Sequence, residues 1–316
     1  MMTLDGGSQS LSDTRQAKLS VVIVTFNSAI ALPPLLNSIS AGMNGIGEYE
    51  VVVVDNQSND GSADLAESHP IRPTVIRMGR NAGYAAAINA ATAVVDQNSP
   101  VLILNPDLRL YPSAAAALMK QLSVMSVGVV VPTNYTEDGE IDLTLRREPS
   151  IATAWADALL GGRLAGLLGW GETITKQRRY GRSGLVDWAT GSALLISAEA
   201  RHAAGGWDES FFLYSEEVDY LRRVREAGFG VLYEPESQVM HAGGGSGRNP
   251  KLFALQTVNR IRYYASNHGR VPTFVFRLGV VIGEALRCWR NPSHRAALSN
   301  SVKPLVKGAD FMIHRS

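Results

Sequence analysis

Cysteine is almost absent from this chain: Cys288 is the only one in 316 residues. A single thiol cannot close an intramolecular disulfide, so the fold does not rest on cross-links and a reducing compartment fits it. Long apolar runs are missing too. Nowhere do about 18 uninterrupted apolar residues occur, so no membrane-spanning helix is expected. The opening "MMTLDGGSQSLSDTRQAK" is polar, carries Asp5 and lacks the apolar stretch of a secretory signal, so residues 1–18 are expected to form a disordered leader and the protein to be cytoplasmic. Charge of one sign is also lacking. Lys and Arg number 30 against 29 Asp and Glu, a formal net charge of +1, so no global field favours nucleic acid or an acidic partner. No G-x-G-x-x-G follows the first valine-rich run, which disfavours a dinucleotide oxidoreductase.

What is present is apolar bulk. Hydrophobic residues make up 45% of the chain and charged residues 19%, enough to bury a substantial core in one large α/β domain or one domain with an appendage. "LSVVIVTF" (19–26), "YEVVVVD" (49–55), "TVIRM" (74–78), "VLIL" (101–104) and "VGVVVP" (127–132) are too short for helices and nearly all apolar. Such runs suit strands covered on both faces. "AIALPPLLNSIS", "GYAAAINAATAVV" and "SAAAALMKQL" supply helices between them, with Pro33 and Pro34 tolerable only near a first turn. The alternation predicts a mostly parallel, open, twisted sheet flanked by helices. Residues 133–190 mix polar stretches, apolar helix and a Gly/Arg-rich loop, read as a substrate-facing insertion. "GVLYEPESQVMHAGGGSG" reads as a short strand pair ending in a glycine-rich loop. The rest, 249–316, is helical and basic: eleven Lys and Arg from Lys251 onward face only Glu284 and Asp310.

Ligands collect at the carboxyl ends of strands in an open parallel sheet. Thr25, Phe26 and Asn27 follow the first strand, Asp55 closes the second, and Asn105-Pro106-Asp107 closes the fourth. Any one such Asp is as readily a helix cap or turn former. Several of them on one edge point to a site.

In order and rough spacing, "VVIVTFNS", "VVVVDNQSNDGS", "RNAGYAAAINA", "LILNPDLRL", "GGWDESFFLYSEEVDYLRRVREAGF" and "PESQVMHAGGGS" resemble glycosyltransferase family 2, the inverting enzymes of the GT-A fold, and most closely its bacterial rhamnosyltransferase-type members. The resemblance spans residues 19 to 246. It implies a GT-A domain over 19–248, with a nucleotide-binding half (19–132) and an acceptor-binding half (133–248), followed by a helical extension over 249–316. It implies a nucleoside-diphosphate sugar donor, dTDP-rhamnose first, contacted by Thr25, Asn27, Asp55, Asn81, Gly83, Tyr84, Asn105, Gly191 and Ser192. Asp55 would accept from the imide N–H of uracil or thymine. Asn81, Gly83 and Tyr84 match the family's turn under the nucleotide. Asp107 would bind a divalent cation, Mn2+ or Mg2+, that bridges to the diphosphate, with His241 as second ligand and the glycine-rich loop wrapping the phosphates. Glu217 would be the base that takes the acceptor hydroxyl's proton, with Asp219 and Asp208 as alternatives and Asp208 the better acceptor contact. The chain departs from the family pattern twice: Asn105-Pro106 leaves one carboxylate where another acid is usual, and Glu216-Glu217 stands in place of Glu-Asp. The same Glu217, Glu216 and Asp219 also make an acidic first helical turn favoured by the helix dipole. Trp188 suits the core or a sugar face.

The implied acceptor is a saccharide or a polyprenyl-diphosphate-linked saccharide in cell-surface polysaccharide synthesis. Two rivals remain at this stage. A sugar nucleotidyltransferase shares sheet and metal but would place a glycine-rich basic loop where this chain has "TFNSAIALPP". A catalytically silent sugar-nucleotide-binding or scaffold protein would fit the Glu217 departure. In the tail, "VPTFVFRLGVVIGEALRCWR" sets Phe274, Leu278, Val281, Ile282, Ala285 and Trp289 along one side among Arg270, Arg277, Arg287 and Arg290. That side either packs on the catalytic domain or meets an anionic membrane surface from the cytoplasmic face, and the two readings stand equal. Homo-oligomerisation stays open; nucleic acid is not expected as a partner.

Overall fold

Valine and isoleucine are stiff at χ1 and pack well on a pleat, which turns the short apolar runs into strands. The computed structural model describes residues 18–124, 126–243 and 249–314. The expected leader, except Lys18, and residues 244–248 of the glycine-rich stretch lie outside them.

In the first half, β1 (Leu19–Thr25), α1 (Leu32–Gly42), β2 (Tyr49–Asp55), α2 (Ser62–Glu67), β3 (Thr74–Arg77), α3 (Tyr84–Thr92) and β4 (Val101–Leu104) alternate as expected. Then follow β5 (Leu108–Leu110), α4 (Ala114–Leu122) and β6 (Val127–Tyr135). The strand order β3-β2-β1-β4 is parallel throughout. Period-two alternation splits the core: Val22, Val24, Val52 and Val54 pack with the alanines of α3 on one face, while Val21, Ile23, Val51 and Val53 pack with α1 and α4 on the other.

The second half holds β7 (Leu145–Arg146), α5 (Ile151–Leu160), α6 (Gly162–Leu168), α7 (Gln177–Tyr180), β8 (Gly184–Val186), β9 (Trp188–Ala189), β10 (Ala193–Ile196) and α8 (Ala198–Ala204). A 3-10 turn (Glu209–Phe211), α9 (Glu216–Glu226) and β11 (Gly230–His241) complete it. Beyond β4 the nine-stranded sheet becomes mixed, because β10 runs antiparallel to both β4 and β6, while β11 is parallel to β6 and antiparallel to β5 and β8. β7 and β9 pair in a separate ribbon. The expected strand pair after Gly230 is one 12-residue strand. Its pairing with β6 slips between Glu234 and Gln238, where Pro235, which has no N–H for a ladder, is accommodated.

Four helices follow: α10 (Pro250–Asn267), α11 (Arg270–Ala285), α12 (Pro292–Ser301) and α13 (Gly308–His314). They are joined to the sheet domain by apolar contact. Ala254, Leu255 and Val258 of α10 pack with Phe212 and Phe311, and Ile261 and Tyr264 pack with Ala154, Phe276 and Val280. α11 approaches α5 closely because its contact positions are glycines: a Cβ on Gly279 would lie 3.0 Å from Trp155 Cδ1, and one on Gly283 would lie 3.2 Å from Ala158 Cα.

Candidate active site

Adjacent strands β1 and β2 end in register, Thr25 opposite Asp55, so their polar terminal residues open on one edge. After Thr25 the chain turns through Asn27, whose φ is 50°. Asn27 is locked to the loop after β2: its backbone N–H donates to Ser58 Oγ at 2.9 Å, and its Oδ1 accepts the N–H of Asn59 at 2.9 Å. Asp55 is buried; its Oδ2 accepts the Ser58 N–H at 3.0 Å. Its Oδ1 is buried without a donor among the described residues, as is the Thr25 hydroxyl. An orphan carboxylate oxygen costs free energy until a donor arrives. Their chain neighbours Val24, Asn27 and Asn56 line a cleft of about 600 Å³ together with Tyr84, Asn105, Asp107 and Tyr214.

The turn before α3 is held by Asn56, a residue the sequence reading passed over as part of a turn. Its Nδ2 donates to Asn81 Oδ1 at 2.9 Å and to the Gly83 carbonyl at 3.2 Å, and its Oδ1 accepts the Ala82 N–H at 2.9 Å. Gly83 has φ 93°. A Cβ there would stand 2.7 Å from Phe212 Cα and nearer still to its carbonyl oxygen, which accepts the Tyr84 N–H at 2.7 Å. The close approach that glycine permits is thus to the chain at Phe212. Tyr84 Oη donates to Asn105 Oδ1 at 2.8 Å and lies 3.4 Å from the Gly191 carbonyl. Burial, and then the charges of Glu216, Glu217 and Asp107, push its phenol well above the ordinary value, so it remains a donor.

His241 reaches Asp107 because β11 pairs antiparallel with β5, setting His241 opposite Leu108. Its Nε2 lies 3.3 Å from Asp107 Oδ1, and its Nδ1 lies 3.6 Å from Asp142 Oδ2. Asp142, in "GEIDLTL", is a carboxylate that sequence reasoning left in a polar stretch. Burial opposes the imidazolium, but the bonds and charges of Asp107 and Asp142 outweigh it and raise His241 to about 9. Burial likewise opposes the Asp107 carboxylate, yet His241 holds it below its ordinary value. Among the described residues no group of three or more His, Cys, Asp or Glu is arranged around a metal position. A cation here would take two protein ligands and complete its shell with phosphate and water oxygens, the habit of hard cations. The spacing fits: two neighbouring ligands of an octahedral ion at about 2.1 Å are about 3 Å apart.

The segment "FFLYSEE" enters α9 through three non-glycine residues in left-handed backbone, Phe212 (φ 67°), Tyr214 (φ 68°) and Ser215 (φ 73°). Such residues persist only where surroundings over-determine them, and they gather at functional sites. The clamp is Asn259 of α10, fully buried, whose Nδ2 donates to the carbonyls of Phe211 (2.8 Å), Leu213 (2.9 Å) and Tyr214 (3.2 Å). Arg262 in turn donates to Asn259 Oδ1 and to the Ser210 carbonyl, each at 3.0 Å. Both were missed from sequence; the only signal was a polar pair inside the helical "LQTVNRIRYY".

At the start of α9, Glu216 is buried and Glu217 half-buried, each with Oε2 lacking a donor among the described residues. Burial raises Glu216 well above the ordinary carboxyl range, and Glu217's charge adds to it; burial also raises Glu217. Both carboxyls therefore hold a proton more readily than ordinary ones, and Glu217 is a carboxylate of elevated basicity. Glu217 opens on a smaller pocket of about 60 Å³ that shares Tyr214 with the main cleft and is walled by Trp188, Arg260 and Tyr263. Gly191 abuts it: a Cβ on Gly191 would touch Glu217 Cβ at 3.4 Å. Ser192 is buried, its Oγ accepting from Asn134 Nδ2 and its carbonyl accepting the Asn105 N–H at 2.8 Å. Trp188 is core, donating through Nε1 to the Arg147 carbonyl at 2.9 Å. Asp219 and Asp208 are not brought to either pocket. Asp219 pairs with Arg223 at 2.9 Å, and exposed Asp208 caps the 3-10 turn by accepting the Ser210 N–H at 2.8 Å.

A parallel half-sheet joined to a mixed half and flanked by helices defines an α/β protein of the GT-A fold. Its fold is shared by a mannosyltransferase of Pyrobaculum calidifontis in complex with GDP-mannose and Mn2+ (TM-score 0.56, 15% identity, 96% of this chain and 89% of that one). GalNAc-T7 with UDP, GalNAc and Mn2+ shares it too (TM-score 0.52, 17% identity, 96% of this chain and 57% of that one). The chain belongs to glycosyl transferase family 2, whose model matches residues 20–191, and is a glycosyltransferase. Among curated relatives, the N-acetylglucosaminyl-diphospho-decaprenol L-rhamnosyltransferase of Mycobacterium tuberculosis is 30% identical over 73% of this chain and 78% of its own length. Rhamnosyltransferase WbbL of Escherichia coli is 21% identical over 78% of this chain and 92% of its own.

Proposed function

We propose that this glycosyltransferase is metal-dependent and moves rhamnose, with inversion, from dTDP-rhamnose to a polyprenyl-diphosphate-linked saccharide during cell-surface polysaccharide synthesis, at the inner face of the cell membrane. The observation that carries the reading is a pair of acids at strand ends: Asp55, whose buried Oδ1 finds no hydrogen-bond donor among the described residues, and Asp107, which lines the main cleft 3.3 Å from His241 Nε2. The first matches the imide N–H of a thymine or uracil ring, the second a cation shared with a diphosphate. The rhamnosyl donor and lipid-linked acceptor follow from what the Mycobacterium tuberculosis relative is named for.

Asp55 fixes the base, Asn27 and the Asn56-held turn at Asn81 shape the nucleotide side, and Tyr84 and Asn105 orient the edge nearest the sugar. Asp107 and His241 would hold a divalent cation, which when bound supplies positive charge to the diphosphate leaving group. Glu217 takes the proton of the acceptor hydroxyl as its oxygen bonds to the anomeric carbon. On the opposite face the bond from that carbon to the diphosphate oxygen breaks, and its electron pair leaves with the nucleoside diphosphate. Asp208 and Asp219 play no part in this scheme, each being engaged elsewhere.

The test is twofold. A thermal-shift panel of sugar nucleotides, with and without Mn2+, should give its largest rise with dTDP-rhamnose plus metal, since a ligand of the folded state raises the melting point by mass action. Assays with dTDP-rhamnose and a lipid-linked acceptor should release dTDP, and Asp107→Ala should abolish release with Mn2+ or Mg2+. Unchanged turnover in that variant would overturn the metal role; binding without release would overturn catalysis.

A further inference from the structure

α11 is apolar on two sides, and only one of them is used. Phe276, Gly279, Val280 and Gly283 are buried and face the body of the protein. The other side carries Val271 (74% exposed), Phe274 (66%), Leu278 (39%) and, one turn past the helix end, Trp289 (74%). Of the side picked out from sequence, Val281 and Ile282 are half-buried, while Phe274, Leu278, Ala285 and Trp289 are exposed. The exposed patch does not stand alone. α6 exposes Leu164, Leu167 and Leu168, and a cavity of about 530 Å³ joins α6 to the chain just past α11, lined by Leu164, Leu167 and Leu286 together with Arg163, Arg287 and Arg290.

We infer that the face built by α6 and α11 docks on an anionic phospholipid bilayer. Charge selects this occupant. Residues 251–316 carry eleven Lys and Arg against two acidic residues, although the whole chain is at +1. The acidic side chains of α5 and α11 are committed elsewhere, Asp157 beside Arg260 at 3.6 Å and Glu284 on His294 at 2.7 Å. Arg163 and Arg290 are exposed at the rim, and the Arg290 guanidinium lies over the Trp289 ring at 5.5 Å, an amphipathic pairing suited to the headgroup level. A second copy would set this basic face against itself. No described helix is long and apolar enough to cross a membrane, so α11 lies in the interface plane, its 16 residues presenting an apolar stripe about 24 Å long.

The placement also orients the enzyme. α5 starts one residue after Pro149 and its Ser150 cap, where Pro149 lines the Glu217 pocket, and its last residues line the basic cavity. Ten residues of helix put these ends about 15 Å apart. Delivery of a lipid-borne acceptor to Glu217 rests on the function proposed above; the docking itself does not.

The test is vesicle flotation of the full chain. Vesicles rich in phosphatidylglycerol should carry it up, and pure phosphatidylcholine should not. Binding should weaken with salt, fall roughly 5-fold for each of Arg163→Gln and Arg290→Gln, and fall on the order of 10-fold or more for the triple Phe274→Ser, Leu278→Ser, Trp289→Ser. These side chains are exposed, so melting temperature and turnover of a lipid-free acceptor should stay at wild-type values, which keeps docking separate from catalysis. Wild-type flotation of the triple variant, or equal binding to neutral vesicles, overturns the docking whatever the fate of the transferase reading. A concentration-dependent dimer in light scattering, lost in the triple variant, would assign the face to a second copy and overturn it as well.

Discussion

Replacing Asn259 should damage catalysis more than its distance from any substrate would suggest. Its amide nitrogen has two hydrogens and serves three carbonyls, those of Phe211, Leu213 and Tyr214, at 2.8 to 3.2 Å. Asn259→Ala removes all three bonds, at about 0.5 to 1.5 kcal/mol each, although the Phe211 carbonyl keeps the Leu213 N–H at 2.8 Å. The same bonds hold Phe212, Tyr214 and Ser215 at positive φ, so part of the loss returns as the turn relaxes. A net cost of about 3 kcal/mol follows, a fall of roughly 6 °C in Tm for a chain of this size. The relaxed turn carries Glu217, so kcat should fall at least about 10-fold while sugar-nucleotide binding, measured by thermal shift, changes little. Asn259→Asp separates bonding from packing. It keeps the volume but cannot donate, so it should match or exceed the alanine variant in both readouts. Wild-type kcat in Asn259→Asp, or a stability loss with kcat intact, would refute the claim that this side chain positions the base.

Further outcomes follow from the same geometry. Gly83→Ala forces a Cβ to within 2.7 Å of Phe212 Cα at φ 93°, so it should lower Tm by several degrees and reduce soluble yield. Glu216→Gln mimics the protonated form of a carboxyl whose folded value is raised by burial. Wild-type stability falls as pH climbs above the ordinary carboxyl range, so the glutamine variant should melt higher than wild type near pH 7, and a lower melting point there would contradict it. His241, raised to about 9, contributes stability in full below its ordinary value of 6.5, and this is lost as pH rises through about 9. In chelator the melting point should therefore drop across that window, and Mn2+ should flatten the slope as the cation displaces the proton; a slope indifferent to metal would count against His241 as a ligand.

The parallel first half was legible because its signals are local. Seven successive buried residues in β1 can only be a covered strand, and a covered strand must finish in something polar, which is how Thr25, Asp55 and Asp107 were found. The meeting of Asp107 with His241 was not derivable from spacing, since it depends on β11 pairing with β5 across more than 130 residues of chain. Asp142 was hidden for the same reason. Asn56 and Asn259 were invisible in a stronger sense: they act on backbone carbonyls and amides whose directions depend on left-handed turns that no propensity predicts. The helical tail read from composition gave no sign that Gln256, Arg260 and Tyr263 of α10 wall the Glu217 pocket.

The departure at Asn105 acquires a reason in this setting. Tyr84 lies within electrostatic reach of Glu216, Glu217 and Asp107, three carboxyl groups around one phenol. A further acid at position 105 would add a fourth charge beside the two α9 carboxyls, whose values burial already raises, and would push Glu217 toward the protonated state in which it cannot act as a base. Asparagine keeps the carbonyl that accepts from Tyr84 Oη at 2.8 Å and removes the charge. Asn105→Asp should therefore preserve the bond to Tyr84 but move the acidic limb of the kcat profile to higher pH. An unmoved limb would mean that Glu217 does not sense position 105, and with it would go the electrostatic explanation for a single carboxylate after β4.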